Sequence, residues 1–302
     1  MTVLCVLNPT AGRGGRRLTE KVVALLRERG VEVIFRETQA KGDAERLGRA
    51  AVAHDPELGG GKIEVIAVAG GDGTINEVAN GVMGSDIAIA VIPSGTANVL
   101  AQEIGLKPDA ERIVETIVNG REVTLRPGLV NGRCFVAMVG VGFDARIVAA
   151  ITSARKEALG KGAYAVAGFP VFFGPLSGPF RVEIDGDVFE ASWVVASKTR
   201  YYAGRYVIAP GASLSEPSLR IFLLRSTTRG GLLRALIAIA LGRVANAGGV
   251  SLIDGKSVKI TRLNRESDRQ EPVQADGDPA GFLPVDVAIA PQSVKILTPL
   301  DG

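Results

Sequence analysis

The hydrophobic positions of this chain change their period partway along it. Residues 1 to about 120 alternate short apolar runs with stretches whose apolar residues recur every three or four positions, the marks of strand and amphipathic helix. Thr2–Leu7 is the first such run, and Leu18, Val22, Leu25 and Leu26 mark one face of the helix after it. Val31–Phe35 predicts a second strand and about Asp43–Ala53 a second helix. Ile63–Ala69 predicts a third strand, after which Ile75, Val78, Ala79 and Val82 return to helical spacing. Thr74 and Glu77 have the spacing of a capping box, which would start that helix at Thr74. Ile87–Ile92 is apolar throughout, as suits a parallel strand buried on both faces. Asp109 is placed to cap a helix carrying Ile113 and Ile117, and Gly120 to stop it. This alternation predicts a doubly wound α/β layer that binds ligands at the carboxyl ends of its strands.

From about Glu122 the texture becomes β-rich. Short runs at Val123–Val130, Arg133–Val141, Pro179–Ile184, Val188–Ala196, Leu219–Leu224, Ser257–Thr261 and Val285–Ala290 are separated by turn residues. Asn131-Gly132 and Asp185-Gly186-Asp187 are hairpin signals. Helical inserts are predicted near 144–157, 162–173 and 229–243. A largely antiparallel β-sandwich is the natural reading, with a boundary near 121–130 that gives domains 1–125 and 126–302.

Composition narrows the chemistry. A net charge of +3 is too small to argue for nucleic acid and permits only weak attraction to an anionic membrane surface. Cys5 and Cys134 lie in apolar runs without disulfide or zinc spacing, and read as buried inert thiols of a reducing cytoplasm. The single histidine, His54, falls at the end of a predicted helix beside a loop, which argues against a histidine triad and against a multi-histidine metal site. Any general base is therefore a carboxylate, a lysine or a tyrosine. The first strand begins at once, with no basic n-region or long apolar h-region before it. The most apolar stretch, Leu232–Val244, is broken by Arg234 and Arg243 and is too short to span a bilayer. The expectation is a cytoplasmic protein with peripheral contact at the inner membrane surface.

The segment Gly70-Gly71-Asp72-Gly73-Thr74-Ile75-Asn76-Glu77-Val78 sits where the third strand opens into a helix. Glycine lets a backbone approach a ligand closely, and a helix N-terminus offers unpaired N–H groups and a positive dipole end to phosphate. An acid in such a turn needs a cation or a transferable proton beside it, which is kinase-like chemistry; the plainer reading is a tight turn. Asn8-Pro9-Thr10-Ala11-Gly12-Arg13-Gly14-Gly15 follows the first strand, and its amides and Arg13 suit phosphate. It reads equally as a glycine-rich turn with a solvated basic cluster at Arg13, Arg16 and Arg17. Pro93-Ser94-Gly95-Thr96-Ala97-Asn98 opens another helix, and Thr38 lies just past the second strand. Four such strand ends converging on one crevice are harder to explain as turns alone. Late in the chain, Gln274-Ala275-Asp276-Gly277-Asp278 sets two carboxylates about a glycine, suited to metal binding, to proton abstraction or to a plain β-turn.

Taken in order and spacing, these motifs resemble the diacylglycerol kinase and sphingosine kinase superfamily, in its soluble bacterial lipid kinase branch, over essentially the whole chain. The resemblance rests on Asn8-Pro9 with Gly12 and Gly14, on Gly70 to Glu77, on Gly95-Thr96-Ala97-Asn98, on Gly140-Val141-Gly142-Phe143-Asp144-Ala145 and on Asp276-Gly277-Asp278. It implies an α/β nucleotide-binding domain on a doubly wound parallel sheet, a mainly antiparallel β-sandwich domain, and a lipid-accepting cleft between them. It also implies ATP- and Mg²⁺-dependent phosphorylation of a lipid hydroxyl. ATP would be held by Asn8, Pro9, Thr10, Ala11 and Gly12, by Thr38, by Gly70, Gly71, Asp72, Gly73, Thr74, Ile75 and Asn76, and by Thr96. The proton acceptor would fall on Asp278, with Asp276 as the other carboxylate of the motif, and Asp72 would support Mg²⁺-ATP.

Two departures stand out. The family usually has Glu where this chain has Asp278, one methylene shorter. It also often has an Asp-Gly step that binds a structural magnesium, where this chain reads Ser213-Leu214-Ser215-Glu216-Pro217-Ser218. Ser213, Glu216 and Ser218 would be the matching ligands, but proline alters the backbone and removes an N–H. Tyr164, Phe169, Phe172 and Phe173 either line an acyl groove or pack an ordinary core helix. The rival readings are a soluble-metabolite kinase of the NAD type, which shares the Gly-Gly-Asp-Gly turn, and a lipid- or nucleotide-binding protein with little catalysis. No residue selects among diacylglycerol, a sphingoid base, ceramide and phosphatidylglycerol.

Overall fold

A computed structural model describes residues 1–11, 14–151, 168, 170–176, 178–263 and 270–300. In chain order the first elements are β1 (Thr2–Leu7), α1 (Gly15–Glu28), β2 (Glu32–Glu37), α2 (Asp43–Val52), β3 (Val65–Gly70), α3 (Asp72–Val82), β4 (Ala88–Pro93), α4 (Val99–Glu103), α5 (Ala110–Asn119) and β5 (Arg121–Leu125). There follow β6 (Gly128–Val130), β7 (Arg133–Phe135), β8 (Met138–Val141), α6 (Phe143–Ala150), β9 (Phe180–Ile184), β10 (Asp187–Ala191), β11 (Trp193–Ser197), β12 (Tyr201–Tyr202), β13 (Tyr206–Val207) and β14 (Leu219–Leu224). The last are α7 (Arg229–Ala240), β15 (Val250–Gly255), β16 (Ser257–Arg262), β17 (Pro272–Ala275), β18 (Asp278–Phe282), β19 (Val285–Ile289) and β20 (Val294–Thr298).

Two compact units result, Met1–Arg126 with Pro291–Gly302, and Pro127–Ala290. A single cut at 125/126 therefore does not divide the chain, because its last strand returns to the first unit. The sheet there has the order β2-β1-β3-β4-β20-β5. Strands β1 to β4 and β20 run parallel, and β5 pairs antiparallel with β20 at the edge. All residues of β3 and β4 are buried, which is why both read as unbroken apolar runs. Helices cover both faces, α1 packing with α5 and α2 with α3. The second pair meets at glycines, since a Cβ on Gly81 would fall 2.5 Å from the Glu45 carbonyl oxygen. Strand order reverses between β1 and β3, so the switch-point crevice of a doubly wound sheet lies beyond the carboxyl ends of those two strands.

The helix predicted from Thr74 begins two residues earlier, at Asp72, with no side-chain cap on its N-cap residue Gly71. Its would-be capping pair is engaged elsewhere: Thr74 Oγ1 accepts from Asn8, and Glu77 accepts from the Ala44 N–H. Asp109 does cap α5, through the Arg112 N–H, and Gly120 ends it.

In the second unit, one sheet has the order β10-β9-β16-β19-β6-β7 and another β15-β14-β11-β8-β17-β18. Alternate residues of both face a common core, Phe180, Val182, Ile184, Val258, Ile260 and Val285 from the first and Val139, Val141, Val194, Leu219, Ile221 and Val273 from the second. This is the expected β-sandwich. Its hairpins turn where the sequence signals them, with Asn131 and Gly132 at φ 49° and 77° and Asp185 and Gly186 at 48° and 100°.

Candidate active site

The first unit gathers its predicted nucleotide residues at one end of the sheet. Asn8, at the end of β1, donates through Nδ2 to Thr74 Oγ1 at 3.0 Å, and so ties the β1 turn to α3 across the switch point. Its Oδ1 accepts from the Thr10 N–H and hydroxyl at 3.0 and 2.9 Å, which orders the turn itself. The Thr38 N–H bonds the Leu7 carbonyl at 2.9 Å, placing Thr38 at the same edge, buried. The turns after β3 and β4 touch backbone to backbone. A Cβ on Gly95 would lie 2.3 Å from the Gly71 Cα, and one on Gly15 would lie 2.6 Å from the Ser94 Cβ. Only glycine allows these approaches. Asn98, in the left-handed region at φ 49°, closes the last turn by bonding both the N–H and the carbonyl of Gly95, at 2.8 and 2.9 Å. Pro9 and Thr10 are exposed, and Ala11, Gly71, Gly73, Asn76 and Thr96 half-buried, whereas the Ile75 side chain belongs to the core. Gly12 and Arg13 lie outside the described residues.

Two local features bear on whether a phosphate group fits here. Gly14 begins α1 without a side-chain cap, and the first turn of α1 carries no acidic residue. Its amides and dipole therefore meet no carboxylate of that turn. Arg16 is committed to a two-point ion pair with Glu37, 2.7 Å at each contact, on the exposed rim. Asp72 has a task that the sequence did not reveal. Its two oxygens accept from the Val99 and Leu100 N–H groups, each at 3.1 Å, so this buried carboxylate caps α4 from the first turn of α3. A concavity of about 470 Å³ lined by residues including Met1, His54, Lys62 and Glu122 opens elsewhere on this unit and contains none of the predicted residues.

The second unit separates the two late carboxylates. Asp276 and Gly277, at φ 49° and 82°, form the two-residue turn between β17 and β18, in which Ala275 pairs with Asp278. The Asp276 carboxylate accepts three backbone N–H groups, from Val136 at 2.8 Å and from Ala137 and Met138 at 2.9 Å. Asp276 is thus the anchor that fixes the hairpin to the start of β8, and Asp278 is the half-buried first residue of β18. Gln274 supports the same turn, taking the Gly277 N–H on Oε1 and donating through Nε2 to Asp144, both at 2.9 Å. Asp144 is buried at the start of α6 and also accepts from Trp193 Nε1 at 2.9 Å. Burial pushes its carboxyl up to about 6, against the lowering effect of the Gln274 and Trp193 hydrogen bonds. The Gly140–Ala145 motif was legible, but Asp144 was not singled out as a site residue. The available signal was Gly140, where a Cβ would fall 2.0 Å from Asp144 Oδ2.

At the predicted metal loop, Ser213 and Ser218 are half-buried and Glu216 is exposed. The carbonyls of Glu216 and Ser218 accept hydrogen bonds from the Lys198 ammonium. Among the described residues no three His, Cys, Asp or Glu side chains cluster as for a metal ion. Tyr164 and Phe169 lie outside the described residues; Phe172 and Phe173 pack edge to face at 5.2 Å, with Phe173 exposed. Both cysteines are buried, and burial pushes the Cys5 thiol up to about 12, which makes it inert.

Comparison with known proteins defines the class. Residues 2–130 match the diacylglycerol kinase catalytic domain, and residues 137–298 match the YegS C-terminal NAD kinase beta sandwich-like domain. The chain belongs to this diacylglycerol kinase and YegS family of lipid kinases. A diacylglycerol kinase of Staphylococcus carnosus is 28% identical, covering 98% of this chain and 94% of its own. A probable lipid kinase, YegS-like, of Citrobacter koseri is 29% identical over 92% of this chain and 90% of its own. A crystal structure of a diacylglycerol kinase from Bacillus anthracis superimposes with a TM-score of 0.77 at 22% identity, covering 99% of this chain and 98% of that one. That likeness carries the fold.

Proposed function

We propose that this chain transfers the γ-phosphoryl group of Mg²⁺-ATP to a hydroxyl of a membrane lipid. The observation that carries the nucleotide half is the joining of three strand-end turns, those after β1, β3 and β4, through the Asn8–Thr74 bond, the Gly71–Gly95 contact and the Asp72 cap, with Thr38 held at the same edge by the Leu7 carbonyl. Mg²⁺ bound with ATP supplies charge neutralisation on the phosphates. The amides at the start of α1 and α3 orient those phosphates, Thr38 and Thr96 border the nucleotide, and Asp72 holds α4 in place beside them. Phosphoryl transfer asks a protein mainly for positioning and electrostatics. The acceptor oxygen bonds to the γ-phosphorus, its proton passes to Asp278, and ADP leaves. Because a lipid alcohol is a very weak acid, the carboxylate takes the proton late in the transfer.

The lipid half rests on the family and on α7. Leu233, Ile237 and Leu241 are exposed at a spacing of four residues, with Arg234 and Arg243 exposed beside them. That combination suits the headgroup region of an anionic membrane. No helix among the described residues is long and apolar enough to cross a bilayer. The second reading, a soluble-metabolite kinase, draws on the NAD kinase-like description of the β domain. A panel of diacylglycerol, sphingoid base, ceramide and phosphatidylglycerol in mixed micelles, with NAD as a soluble arm, decides between them when incubated with Mg²⁺-ATP and scored by product mass. Phosphorylation of NAD alone would replace the lipid reading. ATP-dependent product in no arm would leave a binding protein.

A further inference from the structure

Lys198 is completely buried, with an exposure of 0%. It follows β11 directly, opposite the start of β14, because Ser197 pairs with Arg220. Its Nζ donates to the Glu216 carbonyl at 2.5 Å and to the Ser218 carbonyl at 2.9 Å. These are the residues at which the lipid kinase resemblance calls for a structural magnesium. A buried ammonium is tolerated only where it is hydrogen bonded or paired, and the loop 213–218 turns two carbonyls onto it.

The donor set does not suit magnesium. Mg²⁺ demands a near-octahedral shell of oxygens at about 2.0–2.1 Å, usually with a carboxylate among them. Glu216 is exposed, and Pro217 stands where the Asp-Gly step implied by the resemblance would have glycine. An ion bound to the same two carbonyls would also lie within about 4 Å of a lysine charge, and such cations repel strongly away from bulk water.

We propose that Lys198 supplies, on a covalent tether, the positive charge that a bound magnesium would otherwise bring to this loop, so that the β domain holds no structural metal here. The departure at Glu216-Pro217 then has a physical counterpart in the buried ammonium of Lys198, which takes up the carbonyls of that loop. The consequence reaches the candidate proton acceptor's hairpin. The Ala137 carbonyl accepts the Lys198 N–H at 2.8 Å, and the Ala137 N–H donates to Asp276. One residue, Ala137, thus joins the backbone of Lys198 to the turn that precedes Asp278.

Thermal melts of the full chain, stripped with a chelator and free of nucleotide and lipid, test this independently of the kinase reading. Wild-type protein is expected to melt within about 1 °C of the same temperature with and without millimolar Mg²⁺, since a ligand stabilises only as it binds the native state. The triple variant Lys198→Asn, Glu216→Asp, Pro217→Gly restores an oxygen site without the ammonium. Its melting temperature is expected to rise by about 5 °C or more with Mg²⁺, and folding only when Mg²⁺ is present would support the proposal equally. A Mg²⁺-dependent rise of that size in wild type, abolished by Glu216→Ala, would overturn it. So would a folded triple variant indifferent to Mg²⁺. Should the triple variant fold under neither condition, titration calorimetry of wild type with MgCl₂ decides: no heat of site binding upholds the proposal, and a saturable 1:1 site lost in Glu216→Ala refutes it.

Discussion

Two aspartates separated by one glycine make different demands on their surroundings. Asp276 spends its charge on three backbone N–H groups, and hydrogen bonds to a charged group each contribute about 1.5–3 kcal/mol. Asp276→Asn turns an amide toward at least one of those donors, so a melting temperature lower by several degrees is expected. Asp278→Asn is expected to melt like wild type and to bind ATP normally, yet to lose about 10²–10⁴-fold in turnover as a general base is lost. Both variants assayed at saturating ATP separate anchor from acceptor, and near-wild-type turnover in Asp278→Asn would refute the assignment. Asp144 behaves differently again. Its carboxyl is raised from the ordinary 3.8 to about 6, so the folded chain binds this proton more tightly than the unfolded chain. The resulting stability is complete below the unfolded value and is lost as the pH rises through about 6, a change on the order of 3 kcal/mol. Asp144→Asn removes that dependence and leaves Trp193 or Gln274 facing the wrong partner. Denaturant midpoints of the two proteins should therefore converge between pH 5 and about 7, as the wild-type advantage shrinks. A constant difference across that range would show that Asp144 is ionised throughout in the folded state.

Among elements, the least expected connection is the one from α3 to α4. Asp72 sits in the first turn of α3 and caps α4, a helix of five residues that cannot hold itself together. A carboxylate inside a glycine-rich turn at a helix start is thereby accounted for, since two backbone N–H groups offset its charge. Asp72→Asn keeps one of the two bonds at best. The expected outcome is a loss of roughly 1.5–3 kcal/mol in chemical denaturation, together with weaker nucleotide binding as the Thr96 turn loosens. Undiminished stability with turnover reduced about 10²-fold would instead make Asp72 a group acting directly on the nucleotide. The sequence showed the turn but not this partner, because Val99 and Leu100 are 27 and 28 positions away and carry no local mark of being capped. The helix start at Thr74 was misplaced for a related reason. Thr74 and Glu77 do form hydrogen bonds, but with Asn8 and Ala44 in other elements. Asn131-Gly132 and Asp185-Gly186 were legible because a two-residue turn of left-handed residues is fixed by those residues alone.

Over the whole molecule the same contrast governs where the first unit ends. Its strands β1 to β4 announce themselves by continuous apolar runs, but the strand between β4 and β5 is β20, some two hundred residues later. Nothing near Val294–Thr298 says that it belongs with Ala88–Pro93, and most of β5 reads as the start of the β-rich run Val123–Val130 because the strand it pairs with comes so late in the chain. Strands β17 and β18 escaped notice because Asp278–Phe282 reads Asp-Pro-Ala-Gly-Phe, without alternation. The closing strand makes a strong demand on stability. Val294 and Ile296 are each 1% exposed and Leu297 is 8% exposed, and fully burying such side chains contributes about 1.5–3 kcal/mol apiece. Ladder bonds to β4 and β5 add to this. A chain ending at Ala290 loses all of it from the middle of a sheet and leaves the edges of β4 and β5 unpaired. Against a typical total of about 5–15 kcal/mol, that loss is expected to abolish the cooperative unfolding of the first unit and its protection in hydrogen exchange, while the protected core of the β domain persists. Adding residues 291–302 back as a separate peptide should restore protection in β3 and β4. If the shortened chain already protects those strands as strongly as the full one, β20 is an ornament on the sheet and not part of its core.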